Sequence, residues 1–409
     1  MNYGKYKKAM TGTDDLKLPI YLDYQSTTPA DPRVVDAMLP YFFDKPGNPH
    51  SRSHGLGREA HDAVEAARIK IASTIGSDAR EIIFTSGATE SNNLALKGAA
   101  QFYGDTKRQI ITVATEHKCV IETCQHLASN GYDIVFLPVQ MNGLLDLDRL
   151  AGEVTHDTLL VSIMTAHNEI GVIQQISDIG ELCREHDVLF HTDSAQAVGK
   201  IPMDVNAMSI DLMSISGHKL YGPKGIGALY VRRRPRVRLS AQISGGGQER
   251  GLRSGTLPTP LCVGLGTACD IASEELGEEA RRIGALRDHL YRGISDRLSD
   301  VILNGDPVHR LPGNLNLSFA GLDSEEIMSA LPDIAISSGS ACTSTSLEPS
   351  YVIRALGLSE DMARGSLRFG IGRFTTIAEI DYVIERVSTT VLSLRDQRTT
   401  THTATSQVG

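Results

Sequence analysis

Asp193, in Leu189-Phe190-His191-Thr192-Asp193-Ser194-Ala195-Gln196, and Lys219, in Ser214-Ile215-Ser216-Gly217-His218-Lys219, each follow a short apolar run that reads as a buried strand. Open α/β sheets receive ligands in the crevice at the ends of such strands. An acid and a lysine placed there share one chemistry. A lysine amine forms a Schiff base with an aldehyde cofactor, and a carboxylate facing a pyridine nitrogen keeps it protonated, so the ring draws electrons from a carbanion. Either residue alone reads more simply as half of an ion pair. A phosphate site strengthens the pair: Glu81-Ile82-Ile83-Phe84 reads as a strand, and Thr85-Ser86-Gly87-Ala88-Thr89-Glu90-Ser91 turns into the helix starting Asn92-Asn93-Leu94. A small-residue turn opening a helix offers backbone N–H groups to an anion, and the hydroxyls of Thr89 and Ser216 can join them. It is no Walker loop, because Pro223 follows Gly222 where that motif needs lysine. His117, after the strand-like Ile110-Ile111-Thr112-Val113, has the flat ring to stack on a cofactor and shuttle protons; by itself it reads as a structural histidine.

A second reactive element stands far along the chain. Ser337-Ser338-Gly339-Ser340-Ala341-Cys342-Thr343-Ser344-Thr345-Ser346 sets one cysteine among small hydroxylated residues and glycine, which compete poorly for helix or strand and predict a loop. A thiol so placed can reach a substrate and carry a product away. The other five cysteines, 119, 124, 183, 262 and 269, fall in helical or apolar stretches and read as reduced, partly buried core residues, and the six form no CxxC pair and no zinc-like spacing.

Positioning these groups takes a large sheet. From about Glu81 to Arg232 short apolar strands (near 109–113, 133–138, 158–164, 188–192, 211–215 and 226–231) alternate with helical stretches at 88–103, 117–130 and 177–187. That alternation predicts a mostly parallel sheet covered on both faces. After the glycine-rich stretch 244–256, a long helix near 260–298 leads to a smaller α+β unit with strands at 314–319 and 334–337. At 409 residues, with 41% hydrophobic and 22% charged residues, the chain has the make-up of a two-domain globular protein. No apolar run is long enough to span a membrane. The net charge of −9 argues against nucleic acid as a direct partner. Residues 1–17 resemble neither a secretory signal nor a mitochondrial presequence, which predicts the cytoplasm.

Taken together, Tyr21-Leu22-Asp23-Tyr24, Phe84 to Ser91, Asn168-Glu169-Ile170-Gly171-Val172, Ser216-Gly217-His218-Lys219, Arg253-Ser254-Gly255-Thr256, the Cys342 loop and Leu367-Arg368-Phe369 resemble the Isc-type cysteine desulfurases, pyridoxal-phosphate enzymes of the class V aminotransferase group with a type I fold. The likeness runs from about Leu18 to Arg395, and Gly245 to Gly251 is closest to the alphaproteobacterial and mitochondrial branch. The resemblance implies a large cofactor-binding domain over 28–275, built on a mostly parallel seven-stranded sheet, and a small α+β domain made of 1–27 with 276–395. It implies roles too. Lys219 holds pyridoxal 5′-phosphate as a Schiff base and acts as acid and base, Asp193 pairs with the pyridinium, Gln196 contacts the phenolic oxygen and His117 stacks on the ring. Ala88, Thr89, Ser216 and His218 hold the phosphate, with Thr256 from the other subunit of a homodimer. Asn168 and Arg368 bind the carboxylate of L-cysteine, and Cys342 takes its sulfur as a persulfide, releasing alanine.

The implied destination of the sulfur is iron–sulfur cluster assembly, with tRNA thiolation as a second outlet. The implied partners are an IscU-type scaffold and other acceptors. Cys342 is then a transient cluster ligand shared with the scaffold, and a frataxin-like protein docks at Arg233, Arg236 and Arg238, a run that by itself reads as a solvated exit from a strand. Two features depart from the family. The threonine-rich tail, residues 396–409, predicts disorder and lacks the tryptophan-containing segment of longer members, the chain having no tryptophan at all. Arg364-Gly365 stands where relatives tend to have histidine and serine. The competing readings are another lyase or aminotransferase of the same fold, such as a selenocysteine lyase, and a catalytically idle binding module of an assembly complex.

Overall fold

The computed structural model describes residues 16–338 and 349–406; Cys342 lies outside them. The strands are β1 (Ile20–Tyr21), β2 (Ile82–Thr85), β3 (Gln109–Val113), β4 (Asp133–Leu137), β5 (Thr158–Ser162), β6 (Leu189–Asp193), β7 (Leu212–Ser216), β8 (Gly227–Val231), β9 (Val301–Leu303), β10 (Asn314–Phe319), β11 (Ile334–Ala335) and β12 (Ser366–Gly370). Seven of them form one sheet in the order β2-β8-β7-β6-β5-β3-β4, in which only β8 runs antiparallel to its neighbours. Every residue of β2, β3, β5, β7 and β8 is buried, as expected of a sheet covered on both faces by crossover helices. The edge strand β4 is the exception and faces solvent along part of its length.

One apolar cluster covers one face of this sheet and draws in the helix Gly55–Thr74, while a second covers the other through the helices Ala88–Tyr103 and Lys118–Ser129. A third cluster is separate. It joins Ile20 and Leu22 to the antiparallel β9, β10 and β12 and to the helix Ile377–Ser406. The 37-residue helix Thr259–Ser295 belongs to both bodies: Cys262, Leu265 and Cys269 lie in the first cluster, Leu286, Leu290 and Ile294 in the third. At 1.5 Å per residue it is a beam of about 55 Å.

The terminal helix differs from the expectation of disorder from residue 396. It continues to Ser406, and Arg395 and Arg398 tie it down by donating to the backbone carbonyls of Ser299 and Gly321, with Glu326 pairing Arg398 at 2.6 Å. Composition weighed the threonines; a helix already nucleated and packed over 377–395 extends more easily than a free one starts.

The glycine-rich stretch after β8 is fastened to the sheet by an internal ion pair. Arg68, on the helix Gly55–Thr74, makes a two-pronged contact with Glu249, both bonds 2.8 Å, and Glu249 also accepts from the Phe84 amide of β2 at 2.6 Å. Both side chains are about 4% exposed or less, and the Arg68 guanidinium lies 4.7 Å from the Phe84 ring centre. Truncating Glu249 leaves buried Arg68 with Glu65, itself 42% exposed, as its remaining ion-pair partner among the described residues at 3.1 Å. Glu249→Ala is expected to lower unfolding stability by about 3–5 kcal/mol, measured by urea denaturation, whereas Arg68→Met/Glu249→Met together is expected to cost less than Glu249→Ala alone.

Candidate active site

The carboxyl ends of β2, β3, β6 and β7 open onto one cleft of about 500 Å³. After β2 the chain turns through Gly87, whose φ of +152° suits glycine, directly into the helix Ala88–Tyr103. The amides of Ala88 and Thr89 thereby open the helix at the cleft. Glu90 accepts from the Ser86 amide at 2.8 Å and is itself held by Arg253, also at 2.8 Å, which keeps this acid turned from the amides of the first turn.

After β3 comes His117, the N-cap of the helix Lys118–Ser129. Its Nδ1 accepts from the Cys119 amide at 3.2 Å, fixing the ring and leaving the proton on Nε2 in the neutral form. Cys119 is partly buried against the core, as expected, and it also lines the cleft, its sulfur 3.0 Å from His117 Nδ1 and 3.1 Å from the Asn92 amide nitrogen that donates to it. The physical reason is its place in the first helical turn, still beside the strand ends. Asp193 closes β6. Its Oδ2 accepts from Asn92 at 2.7 Å and its Oδ1 from the Ala195 amide at 2.9 Å, so two donors orient the carboxylate. Asn92 was missed by sequence reasoning. The signal was present: it is a fully buried amide on the otherwise apolar inner face of its helix, shared with Ala95, Leu96 and Ala99.

After β7 a single tight turn carries Ser216, His218 and Lys219 into the cleft. The Lys219 amine donates to the carbonyls of Gln25 (2.5 Å) and Ser26 (2.6 Å), so the N-terminal segment is part of the site. Burial, then Lys219, Lys224 and Lys200, push His218 down to about 4, and it bonds Thr27 as a neutral ring. Glu116, fully buried behind His117, is pushed well above the usual carboxylate range by burial and then by Asp193; one oxygen accepts from the Met164 amide.

Arg368, on β12, reaches the cleft from the other body. One of its terminal nitrogens donates to Asp23 (2.8 Å), Ser26 (2.6 Å) and Ser337 (2.8 Å), and the other to the carbonyl of Asn168 (3.0 Å). Its buried Nε has no partner among the described residues. The cleft thus gathers Ala88, Thr89, His117, Asn168, Asp193, Gln196, Ser216, His218, Lys219 and Arg368. Thr256 is exposed and outside it, and Cys342 lies outside the described residues. Arg233, Arg236 and Arg238 are exposed around a separate groove with Arg80 and Arg250, whereas Arg232 is buried against Asp211 at 3.2 Å.

The donor set fits a phosphorylated aldehyde with a pyridine ring: amides at a helix start, an amine, an oriented carboxylate, a fixed flat ring. No membrane-length apolar helix and no metal-holding cluster occur among the described residues. Comparison with known proteins points the same way. The aminotransferase class-V family model matches residues 20–383. "Cysteine desulfurase IscS" of Rickettsia bellii is 59% identical over 386 residues, 94% of each chain. "Cysteine desulfurase" of Homo sapiens is 59% identical over 378 residues, 92% of this chain and 83% of its own. Among solved structures, a "NifS-like protein" superposes with a TM-score of 0.85 at 36% identity, covering 92% of this chain and 99% of its own. "SspA in complex with cysteine" does so with 0.78 at 40%, covering 87% and 100%. The chain belongs to the class-V aminotransferase family and, within it, to the cysteine desulfurases.

Proposed function

We propose that this enzyme moves the sulfur of L-cysteine onto Cys342, releasing alanine and leaving a persulfide for acceptor proteins that build iron–sulfur clusters. The observation that carries the reading is the convergence, in one cleft, of Lys219, oriented Asp193, fixed His117 and Arg368.

Pyridoxal phosphate, held in this cleft, supplies the electron sink that lets a bond at the amino-acid carbon chain be broken. Ala88, Thr89, Ser216 and His218 are the groups for its phosphate; Lys219 is the amine for its aldehyde and the side chain that moves protons at the substrate. Asp193 holds a proton on the ring nitrogen, and Asn92 and Ala195 hold Asp193 in register. His117, with its proton on Nε2, covers the ring and can pass that proton to a leaving group. Asn168 and Arg368, which both line the cleft, would bind the substrate carboxylate. Cys342 would attack the substrate sulfur as a thiolate: an S–S bond would form as the C–S bond breaks, with the C–S electron pair staying on the substrate's β-carbon, which would take up a proton to become the methyl group of alanine.

The other thiols support this choice of nucleophile. Cys124, Cys183, Cys262 and Cys269 are buried, and burial raises all four thiols, Cys124 and Cys269 to about 12, so they stay protonated and unreactive. Exposed Thr256, outside its own chain's cleft, suits a phosphate contact across a homodimer. The exposed Arg233, Arg236 and Arg238 suit an acidic partner of the frataxin kind, and an IscU-type scaffold is the acceptor with which Cys342 would share a nascent cluster.

Lys219→Ala is expected to abolish turnover and the visible absorption of the bound cofactor; normal turnover with the band intact would sink the assignment. Asp193→Asn should keep cofactor but lose at least about 100-fold in rate, read as sulfide and alanine production. Cys342→Ser is expected to bind cofactor and L-cysteine and to carry no added sulfur. Mass spectrometry after turnover decides this, and sulfur found only on Cys119, Cys124, Cys183, Cys262 or Cys269 would overturn the route.

A further inference from the structure

We propose that Lys200 is a positioning residue of this site, which fixes the Gln196 amide with its N–H side toward the cofactor cleft. The inference deepens the functional reading above and rests on it.

Gln196 follows Asp193 by three residues and lines the cleft. The two ends of an amide have nearly the same shape, so packing alone does not decide which faces the ligand. Here a neighbour decides. Lys200, four residues on, places Nζ 2.9 Å from Gln196 Oε1. A lysine amine has N–H to donate whether charged or neutral, and the Gln25 carbonyl on the other side can only accept, so the oxygen faces Lys200 and the NH2 group faces away. That NH2 group donates to the Gln25 carbonyl at 2.8 Å, the same carbonyl that accepts from Lys219 at 2.5 Å. One backbone oxygen therefore holds both the cofactor lysine and the amide beside it.

Lys200 works from behind. It does not line the cleft but a separate small pocket of about 30 Å³, shared with Gln25, Tyr24, Tyr221 and Glu279. Gln25 lines both spaces and is the wall between them. The charged groups acting on the amine are Lys219, Glu279 and Arg368. Burial, then Lys219, bring it down to about 7, with Glu279 opposing. Gln196, so turned, presents a donor where an oxygen on the cofactor ring would sit. Without Lys200 the Gln196 oxygen loses its donor, and the Gln25 carbonyl alone is left to hold the amide against a flip that would offer its acceptor there.

The test uses the full-length, cofactor-loaded protein, with Lys200→Met, Gln196→Ala, the double variant and Lys200→Arg. The readouts are the dissociation constant for pyridoxal phosphate and the pH midpoint of its visible band. Lys200→Met is expected to weaken cofactor binding roughly tenfold and to shift the midpoint. In the Gln196→Ala background it should add nothing, because its effect passes through that amide. Lys200→Arg, also a donor only, should stay within about twofold of the parent. Full additivity of Lys200→Met with Gln196→Ala, or an arginine variant as impaired as the methionine one, would overturn the inference while leaving the functional reading intact. A parent protein that takes up no pyridoxal phosphate would overturn both.

Discussion

Arg368 is the side chain through which the two bodies of the molecule become one site. It grows from β12, in the smaller sheet, yet it donates to Asp23 and Ser26 of the N-terminal segment, to Ser337 and to the carbonyl of Asn168 from the larger body. Asp23 neutralises its charge at 2.8 Å, with the guanidinium about 4% exposed. Were the contact with Asp23 lost, a buried cation would be left with neutral acceptors alone, an arrangement that costs several kcal/mol. The N-terminal segment must therefore stay threaded between the bodies, and once there its Gln25 and Ser26 carbonyls are available to Lys219. Packing of the smaller core and placement of the reactive amine thus depend on the same few residues.

Charge is sorted around this centre by burial. His167 and His191, fully enclosed beneath the cleft, are pushed down to about 4 by desolvation, and His218 likewise. Glu169 is raised to about 7 by burial, and Glu116 well above its ordinary range. Near neutral pH these histidines and Glu116 are uncharged. The charge-bearing side chains left lining the cleft are Asp193, Glu90, Lys219, Lys224 and Arg368. Removing competing charges from a low-dielectric wall strengthens those that remain.

The parts of the site legible in the sequence were those whose residue type is itself the chemistry: Lys219, Asp193, His117 and the turn at Gly87. The strand-helix alternation fixed their order at the sheet's edge, because period and length suffice to place a strand end. What stayed hidden acts through backbone or across the chain. Gln25 contributes a carbonyl, which has no signature in a side-chain pattern. Asn92 reads as helix surface until the helix face is assigned. The departure at Arg364-Gly365, opaque in the sequence, has a local account: a Cβ on Gly365 would lie 2.4 Å from the Phe319 carbonyl, and Arg364 pairs with Glu360 one turn back at 3.0 Å.

Cys119 shows why a thiol in the cleft need not be the thiol of the reaction. Its sulfur sits between the Asn92 amide and His117 Nδ1, at 3.1 and 3.0 Å, and its own backbone N–H caps that same histidine nitrogen. Three contacts from two elements fix one rotamer. A sulfur carrier must leave the place where it is loaded, and a side chain in the first turn of a packed helix has no such travel. What Cys119 does offer is a polarizable edge against the imidazole and a second acceptor for Asn92, whose other donation goes to Asp193. His117 and Asp193 are thereby held by one asparagine and one cysteine. A change at either would disturb both side chains at once, which is a positional constraint rather than a nucleophilic one.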